Sequence, residues 1–307
     1  MRKLLLIVFL ITTLGVSAQE NKIKKTVVVY KKVDNIELKM NIFEPSKQAS
    51  SKAAMVLIHG GGWNSGKPEA MQRHAMHFCN RGLVVFTPEY RVRKRNNTTI
   101  VEAVEDAKSA VAWVKAHAKE YNFDPNALIV GGGSAGAHLA TSTIMLDGVG
   151  EQNPKQDYKP SCLVLFNPVL DVSKEGYGHN KVKNELKPYG LTWQQLSPME
   201  HITKGLPPMI VLVGDKDKVL KKHVAQKFEK RMKDKGNDFT LKLYPGAEHT
   251  FFNFGYGNKQ GYPKGTINKY YYEVLQATDD FLVKHKYLDG NTTVKIPKGA
   301  VYPIRKE

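Results

Sequence analysis

Cysteine is nearly absent from this chain: Cys79 and Cys162 are the 2 in 307 residues. Two cysteines so far apart form no disulfide framework, which excludes the small bridge-stapled domains. Cys79 falls in a helical pattern and Cys162 at the start of a strand, so both are expected as buried free thiols. Long apolar runs are missing beyond the N-terminal segment. None reaches the roughly 20 residues that cross a bilayer, so stable membrane insertion is not expected. Repeats and low-complexity linkers are missing too, which excludes solenoids and tethered modules. Carboxylates are scarce, 29 Asp and Glu against 46 Lys and Arg, for a formal charge of +17. Such a field attracts polyanions. The lysines are scattered rather than grouped with aromatics, so nucleic acid is not an expected partner. The expectation is a generally basic surface, and the sharper alternative is attraction of an acidic polysaccharide. His74 and His77 form H-x-x-H without a nearby third ligand. They are therefore read as a solvated helix face, and no metal is expected.

What is present begins with Met1-Arg2-Lys3, an apolar stretch from Leu4 to Leu14, and the small residues Val16-Ser17-Ala18. That order predicts a secretory signal peptide over residues 1–18, cut near Ala18, with delivery to a periplasm or beyond the cell. The run is too short for a membrane anchor. Cleavage removes Arg2 and Lys3 and lowers the charge from +17 to +15. The rest has a globular composition, 41% hydrophobic and 24% charged, and is expected to fold as a single domain over 19–307.

Short apolar runs alternate with helical patterns along that domain. Residues 26–30 and 36–43 alternate like an antiparallel opening pair. The runs 53–58, 83–86, 127–130, 162–166 and 209–213 are continuously apolar, and 239–244 adds one more strand. Continuous runs are what a parallel sheet buried on both faces requires. Between them, Val104, Ala107, Val111, Val114 and Ala118 step by three and four, as do Tyr270, Val274, Ala277 and Phe281. Each set places one apolar stripe on a helix. The pattern predicts a doubly wound, mostly parallel α/β sheet flanked by helices. Residues 171–206 break the rhythm and are expected to form a lid-like insertion or a surface excursion. The tail from Leu288 is expected to pack loosely.

The chemistry concentrates in a few places. Gly132-Gly133-Ser134-Ala135-Gly136 follows one expected strand and opens a helix. G-x-S-x-G in that setting is a nucleophile elbow, a tight turn that exposes the serine oxygen. His59-Gly60-Gly61-Gly62-Trp63 follows an earlier strand. Its glycines leave backbone N–H groups unobstructed, and with the N–H of Ala135 they would form an oxyanion hole. In this fold an acid and then a histidine follow the serine in chain order. His249, in the turn Pro245-Gly246-Ala247-Glu248-His249, is the expected base. Asp217 is the expected acid by chain order and reach, with Asp215, read as shaping its turn, and Asp171 as competitors. His59 precedes the nucleophile and is assigned a structural role, and His138 is expected to pack inside the helix after Ser134.

These motifs resemble those of esterases related to hormone-sensitive lipase and of secreted acetylxylan- and feruloyl-type carbohydrate esterases. The likeness runs from about Lys31 to His285. It rests on the blocks already quoted together with Pro88-Glu89-Tyr90-Arg91, Pro168-Val169-Leu170-Asp171 and Tyr244 to Phe251. The resemblance implies an α/β-hydrolase fold, Gly61, Gly62 and Ala135 as oxyanion donors, and Asp217 rather than Asp215 as the acid. The chain departs from the family at Glu89, where Asp or Asn is commoner, and at Ala137, where a second Gly often stands. It also lacks the large N-terminal cap of the lipase-type relatives, which favours an open site.

Together these readings predict a serine ester hydrolase without metal or organic cofactor. Its expected substrate is a short acyl ester, acetyl or feruloyl, on a polysaccharide or oligosaccharide. The stretch Phe251-Phe252-Asn253-Phe254-Gly255-Tyr256 would either stack sugars or pack its own loop. The first alternative is a broad carboxylesterase acting on small or lipidic esters. A prolyl-oligopeptidase-type peptidase would need a further large domain, and a non-catalytic binding protein would be expected to lack a triad member.

Overall fold

The computed structural model describes residues 23–151, 156–256 and 265–303; the expected signal peptide lies outside them. Its centre is an eight-stranded sheet in the order β1-β2-β4-β3-β5-β6-β7-β8. The strands are β1 (Lys24–Val33), β2 (Ile36–Glu44), β3 (Ala54–Ile58), β4 (Val84–Pro88), β5 (Leu128–Gly133), β6 (Cys162–Phe166), β7 (Met209–Gly214) and β8 (Phe239–Tyr244). β1 pairs antiparallel with β2, and β2 antiparallel with β4. Every later pairing is parallel. The helices are α1 (Gln72–Asn80), α2 (Arg93–Asn96), α3 (Ile100–Ala116), α4 (Ala135–Met145), α5 (His179–Leu186), α6 (Trp193–Leu196), α7 (Lys222–Asp234) and α8 (Lys269–Lys284).

The continuous apolar runs follow from burial on both sides. Successive side chains of a strand point to opposite faces. In β3, Ala54, Val56 and Ile58 enter one core, while Met55 and Leu57 enter the other. β7 divides in the same way, Met209, Val211 and Val213 against Ile210 and Leu212. α3, α4 and α7 cover the first face; α1 and α8 cover the second. The stripe of α3 turns Val104, Val111 and Val114 into the core with no exposure, each worth roughly 1.5–3 kcal/mol relative to an exposed position. Thr99 caps that helix: its Oγ1 accepts from Val101 N–H at 3.2 Å, and its own N–H donates to Glu102 at 2.9 Å.

Three expectations are corrected. His74 is not on a solvated face: it is 1% exposed, one turn before the buried Phe78 and surrounded by Phe166, Phe252 and Tyr271. His77 meets the buried carboxylate of Asp279 at 3.0 Å rather than open solvent. The tail is held more firmly than expected, since Val301 bridges to Asn268, and its carbonyl accepts from Lys269 N–H at 2.8 Å. Cys79 and Cys162 are free and buried, and burial pushes the Cys79 thiol up to about 12, so little reactive thiolate forms there. Among the described residues no helix is long and apolar enough to cross a membrane. Among them also, no group of three or more His, Cys, Asp or Glu could hold a metal ion.

Candidate active site

Loops at the C-terminal ends of five parallel strands meet at one point, the place where open α/β sheets bind ligands. β5 delivers Ser134. The turn into α4 is so tight that Ser134 adopts φ 54° and ψ −118°, a backbone strain of about 1–3 kcal/mol. Two neighbours hold it there. Ser134 N–H donates to Phe166 O at 2.8 Å, and Ser134 O accepts from His138 N–H at 3.1 Å. Glycine is required at 136 because a Cβ there would lie 2.2 Å from Ile58 O and 2.4 Å from His59 O. Only that approach lets α4 start against the end of β3. Ala137, where a second glycine is common, fits with no exposure.

The loop after β8 brings His249 to Ser134 across 115 residues of sequence, with Ser134 Oγ 2.8 Å from His249 Nε2. On the other side of the ring, Nδ1 lies 2.8 Å from Asp217 Oδ2. Asp217 follows β7 in a turn of its own making: Oδ1 accepts from Val219 N–H at 2.7 Å and from Leu220 N–H at 3.1 Å. The competing carboxylates are occupied elsewhere. Asp215 accepts from Gly246 N–H at 2.7 Å and so fastens the turn that leads to His249. Asp171 accepts from Ser173 N–H at 2.7 Å within the start of the 171–206 segment.

Sequence reasoning missed Asn167. It stands directly after β6, fully buried, with φ 47°, a left-handed conformation that Asn tolerates better than most residues. Its Nδ2 donates to Asp217 Oδ2, the same oxygen that faces His249. The neighbouring Pro168 at a strand end was the available signal, but nothing local ties residue 167 to residue 217.

The glycine loop after β3 completes the site. Gly61 and Gly62 have φ of 131° and 62°, and the Gly61 carbonyl accepts from the N–H groups of Asn64 and Ser65 at 3.1 Å. Trp63, 2% exposed, anchors the loop, and its carbonyl accepts from Arg93 N–H in α2 at 3.1 Å. Gly60, Gly61 and Gly62 line a cleft of about 470 Å³ with Ser134, His249, Phe252, Tyr177 and Lys181. Among the described residues, the N–H groups of Gly61, Gly62 and Ala135 have no protein acceptor. Ala135 itself is fully buried, so only its N–H, at the first position of α4, is relevant to the site.

The remaining histidines sit outside this line. His59 is buried against Tyr90, ring centroids 4.3 Å apart, with Nδ1 2.8 Å from Gly60 O. His138 is buried in α4, with Nε2 2.9 Å from Leu196 O. Burial lowers both to about 4. The aromatic stretch after His249 packs inward rather than forming a sugar-stacking wall. Phe251, Phe252 and Tyr256 are buried, Phe252 stacks on Phe166 at 5.2 Å, and the Arg73 guanidinium lies 3.8 Å over the Phe254 ring. The 171–206 segment is neither loose nor remote. Val182, Leu186, Leu196 and Met199 join the core, while Tyr177 and Lys181 form one wall of the cleft.

Comparison with known proteins finds esterases with the same fold. The chain is similar to Thermogutta terrifontis esterase 2 over 87% of its own length and 97% of that chain, with 38% identity and a TM-score of 0.78. A propionate-bound form of that esterase matches with a TM-score of 0.77. The probable carboxylic ester hydrolase LipM of Mycobacterium tuberculosis is 29% identical over 56% of this chain and 42% of its own. The acetylxylan esterase of Xylanibacter ruminicola is 25% identical over 76% of this chain and 45% of its own. The chain spans less than half the length of these two curated relatives. The BD-FAE family model matches residues 40–232, from β2 to α7, which includes Ser134 and Asp217. This chain therefore belongs to the BD-FAE family, and its α/β-hydrolase core is that of a serine ester hydrolase.

Proposed function

We propose that the protein is exported and removes short acyl groups, acetyl or feruloyl, from a polysaccharide or oligosaccharide through an acyl-enzyme on Ser134. The observation that carries the chemistry is the unbroken line Ser134–His249–Asp217 beside an open cleft. In this mechanism His249 Nε2 takes the Ser134 proton as Oγ attacks the ester carbonyl. The carbonyl oxygen becomes negative and is held by the N–H groups of Gly61, Gly62 and Ala135. Asp217 accepts from His249 Nδ1–H, which keeps Nε2 free as a base and stabilises the imidazolium. His249 then gives its proton to the departing alcohol. Water repeats the sequence on the acyl-enzyme, releasing the carboxylic acid and restoring Ser134.

The short acyl group is supported by the limited cleft, with the buried Phe252 on its lining, and by a neighbour whose structure holds propionate. The glycan is supported by the similarity to an acetylxylan esterase and by the signal-peptide pattern of residues 1–18. A broad carboxylesterase is the second reading, and two observations favour it. The higher-identity match is to a protein described simply as an esterase, and the aromatic stretch offers no sugar platform.

Hydrolysis of nitrophenyl esters of increasing acyl length by residues 19–307, followed by acetylated xylan, separates the two. Activity greatest at acetate, with acetate released from the polymer, is expected. A maximum at longer chains with an inert polymer would move the assignment to the second reading. Ser134→Ala should lower turnover by roughly 10⁴-fold or more, and near-normal turnover in that variant would remove Ser134 from the mechanism.

A further inference from the structure

The cleft beside Ser134 is almost uncharged. Among its described lining residues Lys181 carries the one fixed charge; His249 is the other titratable side chain apart from the Tyr177 phenol. α5 brings this ammonium to the glycine loop, where Nζ donates to Gly62 O at 2.9 Å and lies 5.7 Å from the Trp63 ring centroid. Neither neighbour is an anion. The carboxylate one turn along the helix, Glu185, is 3.9 Å away. It is already engaged, one oxygen by Arg93 and the other by Ile100 N–H at 2.9 Å. Lys181 therefore sits between a neutral carbonyl, an indole face and a pair whose cation is Arg93. Burial, and then the charge of Arg93, lower its pKa. Its side chain keeps 35% of its exposure, so it remains open to a ligand.

We propose that Lys181 binds a carboxylate carried by the substrate close to the scissile ester, so that the preferred substrate class is an acetylated glycan containing uronic acid. This rests on the ester-hydrolase reading of the same site. A carboxylate entering the cleft would accept a charge-assisted hydrogen bond from an ammonium whose anionic neighbour, Glu185, lies 3.9 Å away and is shared with Arg93. It would also relieve the cost of holding a cation in a partly desolvated place near Arg93. The formal charge, +17 for the whole chain and +15 without residues 1–18, acts in the same direction at longer range, drawing a polyanionic chain to the surface. Lys181 is a specificity residue in this account, and its contact with Gly62 O places the bound carboxylate next to the loop that holds the oxyanion.

The test compares acetate release from acetylated polygalacturonate and from an acetylated glucomannan of matched substitution. Wild type, Lys181→Met and Lys181→Arg are each measured at low and high ionic strength. Wild type is expected to favour the anionic polymer roughly tenfold in kcat/KM. That preference should vanish in Lys181→Met, persist in Lys181→Arg, and shrink with salt. Because Lys181 also touches the glycine loop, the ratio of the two substrates is the readout. Equal losses on both polymers would make Lys181 a loop brace and overturn the proposal. So would equal rates in wild type, or a preference that survives in Lys181→Met and belongs to the surface at large. Turnover of the neutral polymer and nitrophenyl acetate without any anionic preference would leave the ester-hydrolase reading standing. Inactivity of folded wild type on every ester would overturn both.

Discussion

Asp217 is the most heavily bonded carboxylate of the site: its two oxygens accept from Val219, Leu220 and Asn167 and face His249. Donors around a buried carboxylate stabilise its charged form and hold its orientation. Replacing Asn167 by Ala removes the donor on the oxygen that faces His249. Turnover of nitrophenyl acetate is expected to fall roughly tenfold. The loss should fall on kcat rather than KM, because an Asp217 carboxylate that turns away no longer holds the His249 tautomer needed in the transition state. Unchanged kcat with reduced stability would leave Asn167 a purely structural residue. Asp217→Asn is expected to lower kcat by about 10⁴, by misorienting the His249 tautomer. Asp215→Asn should cost much less, since its partner is the Gly246 N–H rather than the imidazole.

At the scale of elements, the crossing of β5, the Ser134 turn and α4 against β3 leaves no space for a side chain at 136. Gly136→Ala would force a Cβ into the carbonyls of Ile58 and His59. Overpacking of this kind typically costs about 1–3 kcal/mol. Thermal unfolding should therefore show a lowered midpoint, and turnover should fall with it as the glycine loop moves away from Ser134. The same scale marks the limits of sequence reading. The strands were legible because burial on both faces demands unbroken apolar runs, and the α3 stripe because one helix face meets one core. His74 was misread because a histidine in an H-x-x-H pattern suggests polarity, although it stands one turn before Phe78 on the buried face. The aromatic stretch left two readings open in the sequence, and the burial of Phe251, Phe252 and Tyr256 decided between them.

For the molecule as a whole, burial of neutral imidazoles couples stability to pH. His59 and His138 are lowered to about 4 and His74 to about 3, in each case chiefly by burial. In the unfolded chain the same groups titrate near pH 6.5. Unfolding below that pH takes up protons, so the contribution is complete above about 6.5 and is lost as pH falls towards 4 and 3. Urea midpoints should decline over that window. His74→Leu should make the decline shallower by up to about 1.4 kcal/mol per pH unit, and an identical slope would show that His74 does not contribute. The order of Ser134, Asp217 and His249 along the chain, the alternation of strands with helices and the glycines at tight turns are properties of the sequence. They can be read there because each depends on local backbone geometry or on the period of a single element. The convergence of residues 134, 167, 217 and 249, the seating of Lys181 beside Gly62 and the burial of His74 depend on how separate elements pack. Those distances arise only when the sheet closes and brings the strand ends together, so the tertiary structure alone decides them.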